Sequence, residues 1–527
     1  MPAKEDDNKW SSHYNLLKGI LNKNESIYSF FNDDEKLTLR ENVIAHALTK
    51  DNRNILREIG QSEGGFESLK LRKDCWYELL LNQLDLARNF SNQNFENAKP
   101  HPDENQVHLD VLRSFGFVED HKQKEKLRSL LEKIIVNILR KYPTLRYYQG
   151  YHDIVAVFII VFMVHPYQKS VCEADEEYDI ELTRQVSEKF KYSTHRSGIS
   201  IASSVIDPIT NETMLFRSVE IFTLIYLRDF MMDSLTFPIL QTKIIPAIVK
   251  RYDKQLYMTL KLDKMQPFFA IPSLLTLFSH QFKPTELSNG FIYQVFDLII
   301  SSQSMFISII MYMHLILMSK DSLLQEYALN AGNFENDIDL LHGVMQQQMI
   351  KNITNEKFWS IVLIRTQSSI KKPLKLKNAR KMVDEYSVLR TTASGSNHRY
   401  NIKYVQNVLA KEIKASKKLD SYSKHKTKGC LKSPLLNIAW QSYSKNNILF
   451  KVSILIIAVS FIYKTQDLTQ IGDSLSLQHN FHSISKEFSS LMTNNINYSL
   501  LKKVYNFFTF SSIDFAPELT DVTLDLK

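Results

Sequence analysis

The sequence predicts an all-α protein. Glycine is scarce, 13 residues in a chain of 527, against a usual share of about 7%, so few tight left-handed turns are available. In KLRSLLEKIIVNILRKYP a stripe of apolar residues runs through Leu127, Leu130, Leu131, Ile134, Ile135, Ile138 and Leu139, with Val136 beside it. Their spacing repeats as three, one, three, one, the stripe of a helix with one buried face. Long apolar runs recur beyond it, in VAVFIIVFMVHP, IFTLIYLRDFMM, FFAIPSLLTLFSHQF and FIYQVFDLIISSQSMFISIIMYMHLILM.

Residues 1–60 are polar and weakly periodic and read as an N-terminal extension. From Ser62 the helical signal is persistent, and residues 61–340 read as one multi-helix domain. Pro143 marks the end of the striped helix. The run VAVFIIVFMV is apolar on all sides and predicts a central helix. The last long run could pass for a membrane span by length. Gln294, Asp297 and the Ser-Ser-Gln-Ser break argue instead for one or two core helices.

Composition shifts near residue 365. Residues 341–446 read as a helical end followed by a basic linker, whose segment LAKEIKASKKLDSYSKHKTKGCLKS carries eight lysines against Glu412 and Asp420. No aromatic interleaving or nucleic-acid motif accompanies them, so no nucleic-acid partner is expected. Residues 447–464 then predict one C-terminal transmembrane helix. From Ile448 to Tyr463 every residue is apolar except Lys451 and two serines. At about 1.5 Å per residue this run covers about 24 Å, short of the usual ~30 Å core. Lys451 can snorkel, and short spans suit the thinner endoplasmic reticulum bilayer. The lysines precede the span, which places the N-terminal part in the cytosol and the tail, 465–527, in the lumen. The alternative is a buried helix. Asn497-Tyr498-Ser499 is a sequon in that tail. Cys75, Cys172 and Cys430 have no paired spacing, which suits a reducing compartment and offers no CxxC zinc site. The N-terminus MPAKEDDNKW lacks the apolar region of a signal peptide.

Three short elements follow one another in the domain: LRKDCWYELL with Arg72, Trp76, Leu79 and Leu80; VHLDVLRSF with Asp110 and Arg113; and YYQGYHD with Tyr147, Gln149 and Gly150. This ordered set resembles the TBC domain of Rab GTPase-activating proteins. That family carries an Ile-x-x-Asp-x-x-Arg motif, here Val107-x-x-Asp110-x-x-Arg113, and a Tyr-x-Gln-Gly motif, here Tyr147-x-Gln149-Gly150. The first element matches the family's opening helix, and SLLTLFS and QVFDLI resemble its third block. Departures are Val107 for isoleucine and Ser273 and Phe296 where the family commonly has tryptophan; these are helix-packing positions.

The resemblance implies a TBC-type multi-helix fold and a division of labour with a GTP-bound Rab family GTPase. GTP hydrolysis spreads negative charge over the transferring phosphoryl group, which a planar guanidinium reaching in from another chain can match. Arg113 is expected to be that arginine finger. A carboxamide can orient the attacking water by donating and accepting at once, and Gln149 is expected to supply it. Asp110 and Tyr147 are expected to support, and Gly150 to let the backbone approach the partner. The chain has no GxxxxGK loop, so GTP and Mg²⁺ are expected to arrive with the partner, and the chain to hold no cofactor or metal of its own. It completes a partner's active site rather than owning a substrate pocket. The resemblance also points to the branch tethered to the endoplasmic reticulum. Arg146 reads as a solvated or phosphate-side residue, and Tyr148, Tyr151 and His152 as helix packing. Two other readings remain: a non-catalytic membrane-anchored Rab-binding scaffold, and an HD-type metal-dependent phosphohydrolase using His152 and Asp153 with His108. No later aspartate completes the second.

Overall fold

The computed structural model describes residues 2–23, 31–85, 95, 98–163, 211–282, 290–330, 332, 338–353, 355–371, 381–392 and 399–425. All lie in one unit, residues 1–445. The expected span at 448–463, the Asn497 sequon, Cys172 and Cys430 lie outside the described residues. Among the described residues no single helix is long and apolar enough to cross a membrane.

The N-terminal residues are more than a polar extension. They form α1 (Pro2–Leu21), α2 (Asp33–Thr49) and α3 (Arg53–Gly60). Asn32 and Glu35 cap α2 reciprocally, each side chain accepting from the other's backbone N–H. Leu17, Ile20, Val43, Ile44, Ala47, Leu56 and Ile59 are buried in the common core. Arg57 Nε and Gln61 Nε2 both donate to the Ser301 carbonyl, at 3.0 and 2.9 Å.

Next come α4 (Leu69–Leu81), β1 (Leu84–Asp85), α5 (Glu104–Val111), α6 (His121–Lys141) and α7 (Tyr151–Met163). The striped segment is α6, whose inner face is Leu127, Leu131, Ile134, Ile135, Ile138 and Leu139. Asp120 caps it by accepting from Lys122 N–H at 2.9 Å. Helix α7 is the central element. It packs on α4, α5, α6 and α8 (Asn211–Phe222), and of its residues only Asp153 and Met163 escape full burial. Phe158 centres an aromatic cluster with Trp76, Phe222 and Phe296 at ring-centroid distances of 5.3, 5.1 and 5.8 Å. Each such pair adds about 0.5–1.5 kcal/mol beyond area burial.

A π-helical turn, Thr223–Leu227, and a 3-10 turn, Arg228–Met231, extend α8. The chain continues through α9 (Thr236–Thr242), α10 (Ile244–Tyr252), α11 (Lys254–Thr259), α12 (Ile271–Leu275), α13 (Phe291–Ser302), α14 (Phe306–Met318), α15 (Lys320–Leu329), α16 (Ile338–Ile353) and α17 (Glu356–Lys371). The long apolar run is thus two buried helices, α13 and α14. They break at Gln303, whose φ of +51° ends α13 in the left-handed region.

The expected basic linker is docked as far as it is described. After α18 (Val388–Thr391), β2 (Tyr400–Asn401) pairs in parallel with β1, Leu84 opposite Tyr400. This ladder is the one departure from an all-helical chain among the described residues. Helix α19 (Ile402–His425) buries Val405, Val408, Leu409, Glu412 and Ser416 and exposes Lys411, Lys414, Lys417 and Lys418. Buried Arg228 donates Nε to Glu412 at 3.0 Å and Nη2 to Thr391 Oγ1 at 3.0 Å.

Candidate functional site

Helix α5 faces inward through Val107, Asp110 and Val111 and outward through Leu109 and Leu112. Glu104 in its first turn anchors it to α6. Arg140 donates Nε and Nη2 to the two Glu104 carboxylate oxygens at 2.7 and 2.8 Å. The Arg140 guanidinium holds the Glu104 carboxyl below the usual carboxylate range.

Arg113 lies just past the end of α5, its side chain 38% exposed. Its Nη2 donates to Asp110 Oδ1. The three-residue spacing puts both groups on the same side of the helix terminus. Asp110 itself is fully buried, so its carboxylate needs several donors. Gln106 Nε2 supplies a second at 3.3 Å, and the Tyr147 hydroxyl a third at 2.8 Å, to Oδ2. Tyr147 is held in turn by its backbone N–H, which donates to Asp103 at 3.0 Å. Burial, then the Asp110 charge, push the Tyr147 phenol far above its ordinary value, so it stays protonated and donates.

Successive residues of YYQGY go to different partners. The Tyr148 hydroxyl donates to the Leu275 carbonyl at 3.1 Å, and the Tyr151 hydroxyl meets Thr223 Oγ1 at 2.7 Å. Gln149 is exposed between them, with no hydrogen bond among the described residues. Gly150 is buried with φ +110°, and a Cβ there would lie 2.7 Å from Thr276 Cγ2. The close approach it permits is therefore internal, against the TLFS turn, where Leu277 and Phe278 also have positive φ. This internal contact stands beside the expectation that Gly150 lets the backbone approach the partner.

Arg113 thus stands at one end of a bridge, Arg113–Asp110–Tyr147, and Gln149 lies two residues past its other end. Arg146, expected to be a solvated or phosphate-side residue, donates Nε to Asp233 at 2.6 Å and its backbone N–H to the Met231 carbonyl at 2.8 Å. It ties this loop to the end of the 3-10 turn. His152 was read as packing, but its Nδ1 lies 2.9 Å from the Tyr147 hydroxyl. His108 pairs with surface Glu132 at 3.1 Å. Among the described residues no group of three or more His, Cys, Asp or Glu side chains is placed to hold a metal ion.

The opening-helix motif and the third block meet in the core. Asp297 accepts from Arg72 Nε at 3.0 Å, Trp76 Nε1 at 2.7 Å and the Phe66 backbone N–H at 3.2 Å. Arg72 and Asp297 have no exposed side-chain surface. Phe296, at one of the divergent positions, stacks on Trp76 with centroids 5.6 Å apart. The aromatic layer survives the loss of tryptophan there, and Ser273 at the other position is buried.

Residues 69–324 match the Rab-GTPase-TBC domain. The GTPase-activating protein GYP8 of Saccharomyces cerevisiae is 32% identical over 458 residues, 86% of this chain and 86% of its own. The GTPase-activating protein gyp10 of Schizosaccharomyces pombe is 26% identical over 62% of this chain and 76% of its own. Human TBC1 domain family member 20 is 37% identical over 138 residues, 25% of this chain and 33% of its own. Identity over most of both lengths, together with the motifs at the site, places the chain in the Rab-GTPase-TBC domain family, the GTPase-activating proteins of Rab GTPases.

Proposed function

We propose that this chain accelerates GTP hydrolysis by a Rab GTPase through two side chains inserted in trans, Arg113 and Gln149. The observation that carries this reading is the bridge through Asp110 and Tyr147, which joins the two motifs and leaves Arg113 and Gln149 at the surface. A guanidinium has five N–H donors. Arg113 can keep Asp110 on one edge and offer the remainder to the phosphoryl oxygens as charge develops. Gln149, exposed in a turn braced on both sides by Tyr148 and Tyr151, can accept a hydrogen bond from the attacking water and donate one to a phosphate oxygen. GTP and Mg²⁺ belong to the partner.

The test begins with a screen of purified GTP-loaded Rabs against the full chain, which identifies the Rab most accelerated. The wild-type chain should still act on that Rab when the Rab's own switch glutamine is replaced. Gln149→Ala should lose roughly 10²-fold or more in kcat, the scale of removing one positioned group. Inactivity of the wild type on the glutamine-replaced Rab would show that Gln149 does not substitute for it.

The same proposal gives residues 448–463 the role of a membrane anchor, with the catalytic domain cytosolic, at the endoplasmic reticulum, acting in endoplasmic-reticulum-to-Golgi vesicle traffic. Its support is the apolar run itself and the lysines before it. Alkaline carbonate should leave the full-length chain in the membrane pellet. Deleting 448–463 should release it with activity in solution intact. Complete carbonate extraction of the full-length chain would remove the anchor.

A further inference from the structure

The bridge between Arg113 and Tyr147 extends one step further than the two motifs. His152 is buried in the first turn of α7. Its Nδ1 is 2.9 Å from the Tyr147 hydroxyl and 3.8 Å from Asp110 Oδ2. Its Nε2 faces Asp153 Oδ1 at 3.5 Å, and Asp153 Oδ2 lies 3.3 Å from His280 Nδ1. The groups around the ring are therefore Asp110 from α5, Tyr147 from the loop, and Asp153 from its own helix, with His280 beyond.

Proton counting sets the direction of this chain. A carboxylate only accepts, so the single Tyr147 hydroxyl proton goes to Asp110. The Tyr147 oxygen can then only accept from His152, which places a proton on Nδ1. Nε2 lies 3.5 Å from Asp153 Oδ1, longer than an ordinary hydrogen bond, so that carboxylate does not claim the proton for Nε2. Every donor points the same way: His152 Nδ1–H to Tyr147 Oη–H to Asp110. The other Asp110 oxygen holds Arg113.

We infer that His152 is a positioning residue for the arginine finger: by donating Nδ1–H to Tyr147, it orients the hydroxyl that fixes Asp110, and through Asp110 it sets the guanidinium of Arg113. This rests on Arg113 acting as the finger. Without the Nδ1 donor, the Tyr147 oxygen is a buried acceptor lacking that partner. The hydroxyl is then free to rotate away from Asp110. A displacement of about 1 Å at a catalytic group can cost ~10²-fold.

The test uses the full-length chain in detergent and the Rab identified by the screen, loaded with GTP. Phosphate release gives kcat and KM, and thermal melting reports folding. His152→Phe keeps a ring and removes the donor. It should lower kcat by roughly tenfold or more, with KM within about twofold. His152→Asn places an amide N–H near the position of Nδ1 and should recover kcat to within about threefold of wild type. If His152→Phe melts early, Tyr147→Phe carries the test instead and should lower kcat to the same degree. A wild-type kcat in the Phe variants would overturn the inference. So would a change confined to KM, or an Asn variant as slow as the Phe variant. Arg113→Ala separates this from the underlying reading. If that variant keeps its rate, the finger assignment fails; if it is inactive while His152→Phe is normal, only the role of His152 fails.

Discussion

Arg113→Ala should abolish accelerated hydrolysis, with a loss of ~10³–10⁵ in kcat, or about 4 to 7 kcal/mol of transition-state stabilisation. On the proposed mechanism, the size follows from what the guanidinium would meet. Charge on the transferring phosphoryl group develops at the transition state, so an interaction made there raises kcat rather than ground-state binding. The variant should stay folded. Asp110 keeps Gln106 and Tyr147 as donors, and the lost side chain was partly exposed. Arg113→Lys should fail nearly as badly, because an ammonium cannot hold Asp110 and bridge phosphoryl oxygens with one planar fork. Single-turnover phosphate release on the cognate Rab measures the loss, and near-normal rates in Arg113→Ala would sink the mechanism.

Asp297→Ala should be the most damaging core substitution. Asp297 gathers Arg72, Trp76 and the Phe66 N–H around one buried carboxylate, and its removal leaves a fully buried guanidinium without its carboxylate. Losing one partner of a buried pair costs about 3–5 kcal/mol. The double variant Arg72→Met, Asp297→Leu should recover part of that loss, since no uncompensated charge then remains. Urea unfolding compares the three proteins. A single variant within about 1 kcal/mol of wild type would mean that Arg72 finds another counter-charge.

Much of this architecture was legible because periodicity is local. The stripe of α6 and the wholly apolar α7 could be read from consecutive residues, and the Ser-Ser-Gln-Ser interruption marked the turn at Gln303. The motifs were legible for a different reason: they are short and occur in order. Elements with one apolar face under a charged exterior were harder to read. Helix α2 buries Val43, Ile44 and Ala47 behind an exposed acidic first turn, Asp33, Asp34 and Glu35, so its average polarity masked it. Helix α19 hides Val405, Val408, Leu409, Glu412 and Ser416 behind a lysine face. That stripe was present in the sequence, but the lysine count dominated its reading. The roles of Arg146, Gly150 and His152 depend on Asp233, Thr276 and Tyr147. The first two partners are far along the chain. The third is only five residues away, but the pairing joins the loop to the first turn of α7, which local periodicity does not reveal.

The hold of Asp110 on Arg113 also bears on conformational entropy. An arginine side chain carries about 2 kcal/mol of rotamer freedom, which an unrestrained finger would surrender on reaching the nucleotide. Here that freedom is already reduced in the unbound chain, by a carboxylate fixed in the core. If Arg113 acts as proposed, folding absorbs an ordering cost that would otherwise enter the activation barrier. On that mechanism, substitutions that loosen the surroundings of Asp110 would slow the reaction without altering the identity of any partner-facing residue.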